Sequence, residues 1–151
     1  MDLDQLFKAT VLKGHKYFVI SCAWNPRTDL LASGSLDGTA RIWDMTDNAA
    51  TTPKQLVLNH SFQNSRGQAV TNDVTAVDWN DDGNTLATGS FRGSVRLWNK
   101  NGRSLFITGH HSKPIYGLKW NKSGDSILTA GGDKTTRIWD ASTGRCIQEF
   151  S

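Results

Sequence analysis

A histidine, a hydroxyl and a carboxylate stand at His15, Ser33 and Asp37, and the same chemistry returns at His111, Thr129 and Asp133. The offsets are equal in both sets. A general base, a hydroxyl nucleophile and an orienting acid are the parts of an acyl-transfer site, where histidine takes the hydroxyl proton and carboxylate steadies the imidazolium. Three features argue against that chemistry here. The set occurs twice, and no nucleophile elbow accompanies either hydroxyl. A tryptophan, Trp43 or Trp139, follows each acid at the same distance and offers the hydroxyl a fourth partner. The sets read as structural, and the chain as a non-enzyme.

The elements that carry these residues repeat. All six tryptophans fall into the pairs Trp24/Trp43, Trp79/Trp98 and Trp120/Trp139, with a separation of 19 in each pair. Asparagine follows the first tryptophan every time (Asn25, Asn80, Asn121), and arginine stands two residues before the second (Arg41, Arg96, Arg137). A rare, bulky residue at one fixed spacing means one structural unit used three times.

Composition sets the outer limits. A content of 37% hydrophobic and 21% charged residues belongs to a soluble globular protein. The net charge of +3 is modest and the basic residues are scattered, which argues against direct nucleic-acid binding. Cys22 and Cys146 have no metal-ligand spacing and read as reduced, packed residues of an intracellular protein. Neither a metal nor a cofactor is expected. The first ten residues lack the basic and apolar regions of a secretory signal, and no apolar run reaches the ~18 residues of a membrane span.

Each repeat reads as four short strands. The first ends on the leading tryptophan (residues 19–24, 74–79 and 115–120), and its β-branched and aromatic content suits a strand. A turn at Asn25-Pro26, Asp82-Gly83 or Ser123-Gly124 leads to the second strand (30–35, 85–90, 126–131). A tighter turn at Asp37-Gly38, Arg92-Gly93 or Asp133-Lys134 leads to a third that ends on the closing tryptophan. The fourth spans 55–58, 104–107 and 145–150. No helical period is present, so the expected class is all-β.

Units of about 40 residues that open on Gly14-His15 or Gly109-His110-His111 and close on Trp43-Asp44 or Trp139-Asp140 resemble the WD40 repeat. The resemblance implies propeller blades. The expected organisation is an N-terminal segment over 1–13, WD repeats over 14–58, 74–108 and 109–151, and a polar inter-blade loop over 59–73. It also implies a buried hydrogen-bonded set in each blade. The matching positions are His15, Ser33, Asp37 and Trp43 in the first, and His111, Thr129, Asp133 and Trp139 in the third. The second repeat supplies Thr88 and Trp98, but Arg92 replaces the acid and no histidine precedes Trp79 at nine residues. Its blade is expected to lack the network and to be the least rigid.

Whole phrases, such as DLLASGS followed by TARIWD, and LKWNKSGDSILTAGGDKTTRIWD, resemble the transducin-beta-like (F-box-like/WD repeat-containing) family. That resemblance implies a nuclear scaffold linking corepressor and histone deacetylase subunits to chromatin, with histone tails as further partners. Family members carry LisH and F-box-like segments before the ring, and neither occurs in these residues. Propellers bind partners on the narrow face through the start of the inner strand and the residue before the turn aspartate. By alignment these positions are Phe18, Ile20 and Leu36, then Asp73, Thr75 and Phe91, then Pro114, Tyr116 and Gly132, and Arg92 is assigned with them. Exposed aromatics and arginine are the types that dominate interface energetics.

Propellers close with roughly four to eight blades. Three repeats, with Phe7–Leu12 as an additional outer strand, form an incomplete arc. A piece of a longer propeller, a ring completed by self-association through open blade faces, and an independently stable arc all remain open. The first interval between repeats carries 14 more residues than the second, in the polar stretches 45–54 and 60–72, both read as exposed loops.

Overall fold

The computed structural model describes residues 9–46 and 52–151, and these contain strands, turns and no helix. The first blade is a four-stranded antiparallel sheet of β1 (Val19–Trp24), β2 (Leu30–Ser35), β3 (Thr39–Asp44) and β4 (Gln55–Asn59). A hairpin of β5 (Phe62–Gln63) and β6 (Ala69–Val70) follows. The second blade comprises β7 (Val74–Trp79), β8 (Thr85–Ser90), β9 (Ser94–Asn99) and β10 (Ser104–His110). The third comprises β11 (Ile115–Trp120), β12 (Ser126–Gly131), β13 (Thr136–Asp140) and β14 (Cys146–Phe150).

The tight turn between second and third strands needs one residue in the left-handed region. Gly38 (φ 82°) and Gly93 (φ 90°) provide it, and Lys134 (φ 69°) takes the same conformation where the third repeat has no glycine. The inner strands share a second irregularity. Their register against the neighbouring strand slips between Val19 and Ser21, between Val74 and Ala76, and between Ile115 and Gly117. Ile20, Thr75 and Tyr116 are therefore the bulged residues, and a bulge re-aims the side chain it carries.

The second blade is apolar on both faces, because a neighbouring blade covers each of them. Ala32, Ala40, Ile42 and Leu58 of the first blade pack on Val74, Val77, Trp79, Leu86 and Trp98 of the second. The second blade's other face, Ala76, Ala87, Val95 and Leu97, packs on Ile115, Leu118, Ile127 and Trp139 of the third. Each junction is pinned by one indole. The Trp79 Nε1–H donates to the Ala23 carbonyl (3.2 Å), and the Trp120 Nε1–H donates to the Asp78 carbonyl (3.0 Å). These acceptors immediately precede the leading tryptophan of the preceding blade.

Three expectations are corrected. Residues 9–12 of the supposed N-terminal outer strand belong to no strand, having no described strand beside them to pair with, and residues 7 and 8 lie outside the described residues. The stretch 60–72 contains a hairpin, and its first residue, His60, is buried rather than exposed. Residues 47–51 of the other insertion also lie outside the described residues. Cys22 and Cys146 are free thiols as expected, but exposed rather than packed, since they sit on the outward side of β1 and on the outermost strand β14.

Candidate interaction face and the buried networks behind it

In the first blade the His15 ring lies between Asp37 Oδ2 (2.9 Å from Nδ1) and Ser33 Oγ (2.7 Å from Nε2). The Trp43 indole N–H donates to the same Ser33 Oγ (2.9 Å). The proton positions follow from the partners. Nδ1–H donates to the carboxylate, so Nε2 accepts the serine proton, and the serine oxygen accepts from tryptophan. The third blade repeats the chain: His111 Nδ1 is 3.0 Å from Asp133 Oδ1, His111 Nε2 is 2.7 Å from Thr129 Oγ1, and the Trp139 N–H donates to Thr129 Oγ1 (2.8 Å). Burial works to raise the Asp37 carboxyl, but donation by the Thr39 hydroxyl, the Lys16 N–H and His15 outweighs it and holds the group well below the usual carboxylate range. Asp133 is held down in the same way, against burial, by the Thr135 hydroxyl, His111 and the Ser112 N–H.

A hydrolase arrangement needs a hydroxyl open to substrate. Ser33 and Thr129 are buried, and each oxygen already takes an indole N–H while its proton is committed to histidine. These sets clamp the closing tryptophan and the turn to the sheet. Fully satisfied, such a network fixes a single packing arrangement.

The second blade also has a histidine, contrary to expectation. His60 is 1% exposed, its Nε2 lies 2.6 Å from Thr88 Oγ1, and the Trp98 N–H donates to that oxygen at 2.9 Å. Sequence reasoning missed it because the β5–β6 hairpin displaces it ten residues upstream of the offset used by His15 and His111. The acid is absent, as expected, so buried His60 Nδ1 has no partner among the described residues. Burial, with the nearby Arg96 charge, pushes the ring down to about 3, and it is neutral at physiological pH.

Arg92, standing where the other blades have aspartate, holds its guanidinium 5.3 Å from the Phe62 ring of the hairpin. Its backbone N–H is taken by the Asn72 side-chain oxygen (3.2 Å). The arginine thus ties the hairpin to the turn between β8 and β9.

The positions assigned to partner binding meet along one edge of the arc. In each blade the residue before the turn donates its backbone N–H to the carbonyl at the inner-strand start: Leu36 to Phe18 (3.0 Å), Phe91 to Asp73 (2.8 Å) and Gly132 to Pro114 (2.8 Å). The bulged Ile20, Thr75 and Tyr116 stand two residues after Phe18, Asp73 and Pro114. Phe18, Phe91 (55%) and Tyr116 (72%) are exposed, whereas Leu36, Asp73, Thr75 and Pro114 are partly covered. Thr75 spends its hydroxyl on the Gly89 carbonyl (3.3 Å). Between the second and third blades, Asp73, Phe91, Arg92, Lys113 and Pro114 line an open groove of about 580 Å³. Phe18, Ile20 and Leu36 lie in the first blade, outside that lining. Among the described residues, no group of His, Cys, Asp and Glu is arranged to hold a metal, and no helix is long and apolar enough to cross a membrane.

Comparison with known proteins places this architecture. Residues 5–151 match the family model of the nucleolar protein 10-like N-terminal domain, a β-propeller. The chain is 53% identical over 144 residues to mouse F-box-like/WD repeat-containing protein TBL1X, covering 95% of this chain and 27% of that protein. It is 52% identical to human F-box-like/WD repeat-containing protein TBL1Y, over 95% of this chain and 28% of that one. The chain thus spans about a quarter of the length of these relatives. Among solved structures, the C-terminal WD40 domain of Sif2 superposes with a TM-score of 0.74 at 34% identity, covering 87% of this chain and 36% of that one. A protein of that name in Saccharomyces cerevisiae is a SIR4-interacting protein. Three meander sheets, indole-pinned junctions and these likenesses make one assignment: the chain belongs to the WD40 β-propeller family and resembles the F-box-like/WD repeat-containing proteins.

Proposed function

We propose that the chain is a non-catalytic WD40 scaffold that captures protein partners along the edge carrying Phe91, Arg92 and Tyr116, within a nuclear corepressor and histone deacetylase assembly. The single observation that carries the reading is the groove between the second and third blades. The exposed Phe91 lines it together with Arg92, Lys113, Asp73 and Pro114, and the exposed Tyr116 follows two residues after Pro114. Aromatic and arginine side chains held by a rigid sheet bind with little ordering cost, which is how interface anchors work. The assembly is suggested by the likeness to the F-box-like/WD repeat-containing proteins and by a relative named for its interaction with SIR4. The mixed charge of the groove suits a partner segment bearing both signs, and histone tails are its outermost candidate.

The test is capture of purified corepressor segments, histone deacetylase subunits and histones by the wild type and by Phe91→Ala/Tyr116→Ala. Both side chains are exposed, so the double variant is expected to unfold at the same temperature and to lose at least tenfold in capture. Wild-type capture by a folded double variant would place the site elsewhere. Capture only of unrelated adaptor proteins, such as ubiquitin-ligase subunits, would move the chain to another complex.

A further inference from the structure

The groove of the proposed capture site carries both signs of charge, but the edge around it does not. Between adjoining blades that edge is built from the turns before the third strands and the segments that lead into the inner strands. These carry Arg66 on the hairpin, Arg92 on the turn between β8 and β9, and Lys113 just before β11, all exposed. Lys16 and Lys134 extend the same edge along the first and third blades. None of these bases forms an ion pair among the described residues.

The carboxylates of this edge are fewer and mostly spent. Asp37 and Asp133 face inward to His15 and His111, with side chains only 6% and 8% exposed. Each also accepts two backbone N–H groups and a threonine hydroxyl. Asp73, lining the groove, is the carboxylate left to meet a ligand. The opposite edge of the blades differs. There Asp29, Asp44, Asp81, Asp82, Asp125 and Asp140 stand among as many basic residues within the described turns, and Arg27 pairs with Asp81 (3.3 Å). The excess of positive charge belongs to one edge.

We infer that the segment captured on this edge is acidic: an extended peptide with paired aspartate or glutamate side chains beside a hydrophobic one. Its carboxylates meet Arg92 and Lys113, and its hydrophobic side chain meets Phe91. The inference rests on the reading of this edge as the capture surface, and it turns the choice of partner away from basic tails. The Arg92 guanidinium lies over the Phe62 ring, and a stacked guanidinium keeps its in-plane N–H donors for a carboxylate. Lys113 adds a point charge from the next blade, held against the Arg92 turn by the His111 N–H bond to the Gly93 carbonyl (2.8 Å). A basic segment would bring like charges onto both, which slows encounter and costs affinity. Nucleic acid also offers anions, but Asp73 opposes a continuous run of phosphates. A peptide can give that carboxylate a backbone N–H, which a phosphodiester backbone lacks.

Panning a random-peptide display library on the full chain, followed by fluorescence anisotropy on the enriched peptides, tests the inference. The enriched sequences are expected to be net negative and to contain a hydrophobic residue. Their affinity should fall about tenfold in Lys113→Glu and about threefold in Arg92→Gln, both at exposed positions. Lys122→Glu makes the same charge change on the opposite edge and should stay within about twofold of the wild type. Raising salt from about 50 mM to about 500 mM should close most of the gap between Lys113→Glu and the wild type. Neutral or basic enriched sequences that are lost in Phe91→Ala/Tyr116→Ala would overturn the acidic partner while keeping the capture edge. Binding indifferent to Phe91→Ala/Tyr116→Ala would overturn both. Equal losses in Lys113→Glu and Lys122→Glu, no enriched sequence at all, or tighter binding of a single-stranded oligonucleotide than of the enriched peptides would also overturn the inference.

Discussion

His60 Nε2 lies 2.6 Å from Thr88 Oγ1, and this contact gives the second blade its histidine although the residue stands 19 positions before Trp79, where His15 and His111 stand nine before Trp24 and Trp120. The ring also packs on Trp98 at 5.7 Å between centroids. His60→Ala removes a fully buried imidazole and opens a cavity against that indole. A loss of about 2–3 kcal/mol is expected in urea unfolding, against under 0.5 kcal/mol for His110→Ala at an exposed site. Equal losses would mean that the His60 contact carries no structural load.

Arg92→Asp is expected to stabilise the protein. It places a carboxylate at the turn position from which Asp37 and Asp133 reach their histidines, and buried His60 Nδ1 has no partner among the described residues. The new bond should yield about 1 kcal/mol after loss of the Phe62 contact, and the His60 pKa should rise from its depressed value. A double-mutant cycle with His60→Ala isolates the effect: the gain must vanish in the alanine background. A gain that persists there would assign the stabilisation to something other than the histidine.

Acid should weaken the fold in two stages. Unfolded, His60 takes a proton below its ordinary value of 6.5, whereas the folded blade refuses it until about 3. Its contribution is therefore complete above pH 6.5 and is lost as pH falls through the window from 6.5 to 3, at up to about 1.4 kcal/mol per pH unit. Asp37 and Asp133 are depressed as well, but from an ordinary value of 3.8, so their contribution fades only below that pH. His60→Gln cannot titrate, and the stability gap between it and the wild type should narrow between pH 6.5 and 4.5. A gap constant over that range would refute the assignment.

The repeat, its strands and two complete networks were legible because each rests on short, fixed offsets around tryptophan. His60 was hidden because the offset was measured to the strand after it, across an insertion that folds as its own hairpin. Measured from the strand before, the pattern reappears. His60 directly follows β4 as His111 directly follows β10. Chain length between elements can vary with a hairpin, whereas the geometry at a strand end cannot. The interaction edge was legible by alignment only. Its bulges at Ile20, Thr75 and Tyr116 depend on how two strands pair, and no spacing within one strand records that.

The turn before the third strand supplies the last prediction. Lys134 holds φ at 69° where the equivalent residues are Gly38 and Gly93. A side chain in that region costs roughly 1–2 kcal/mol, and glycine's greater freedom in the unfolded chain returns part of it. Lys134→Gly should therefore stabilise by about 0.5–1 kcal/mol in chemical denaturation. The reverse change is far more costly at Gly93, where a Cβ would lie 2.1 Å from the His111 carbonyl oxygen. That carbonyl belongs to the residue whose own N–H is bonded to Gly93 (2.8 Å), so relief would break the tie between the second blade's turn and the third blade's histidine. Gly93→Ala should lose more than 3 kcal/mol. Gly67→Ala, with the same positive φ but open space around it, should lose about 1 kcal/mol. Equal losses at Gly93 and Gly67 would show that backbone conformation alone, without the contact to His111, sets the requirement for glycine.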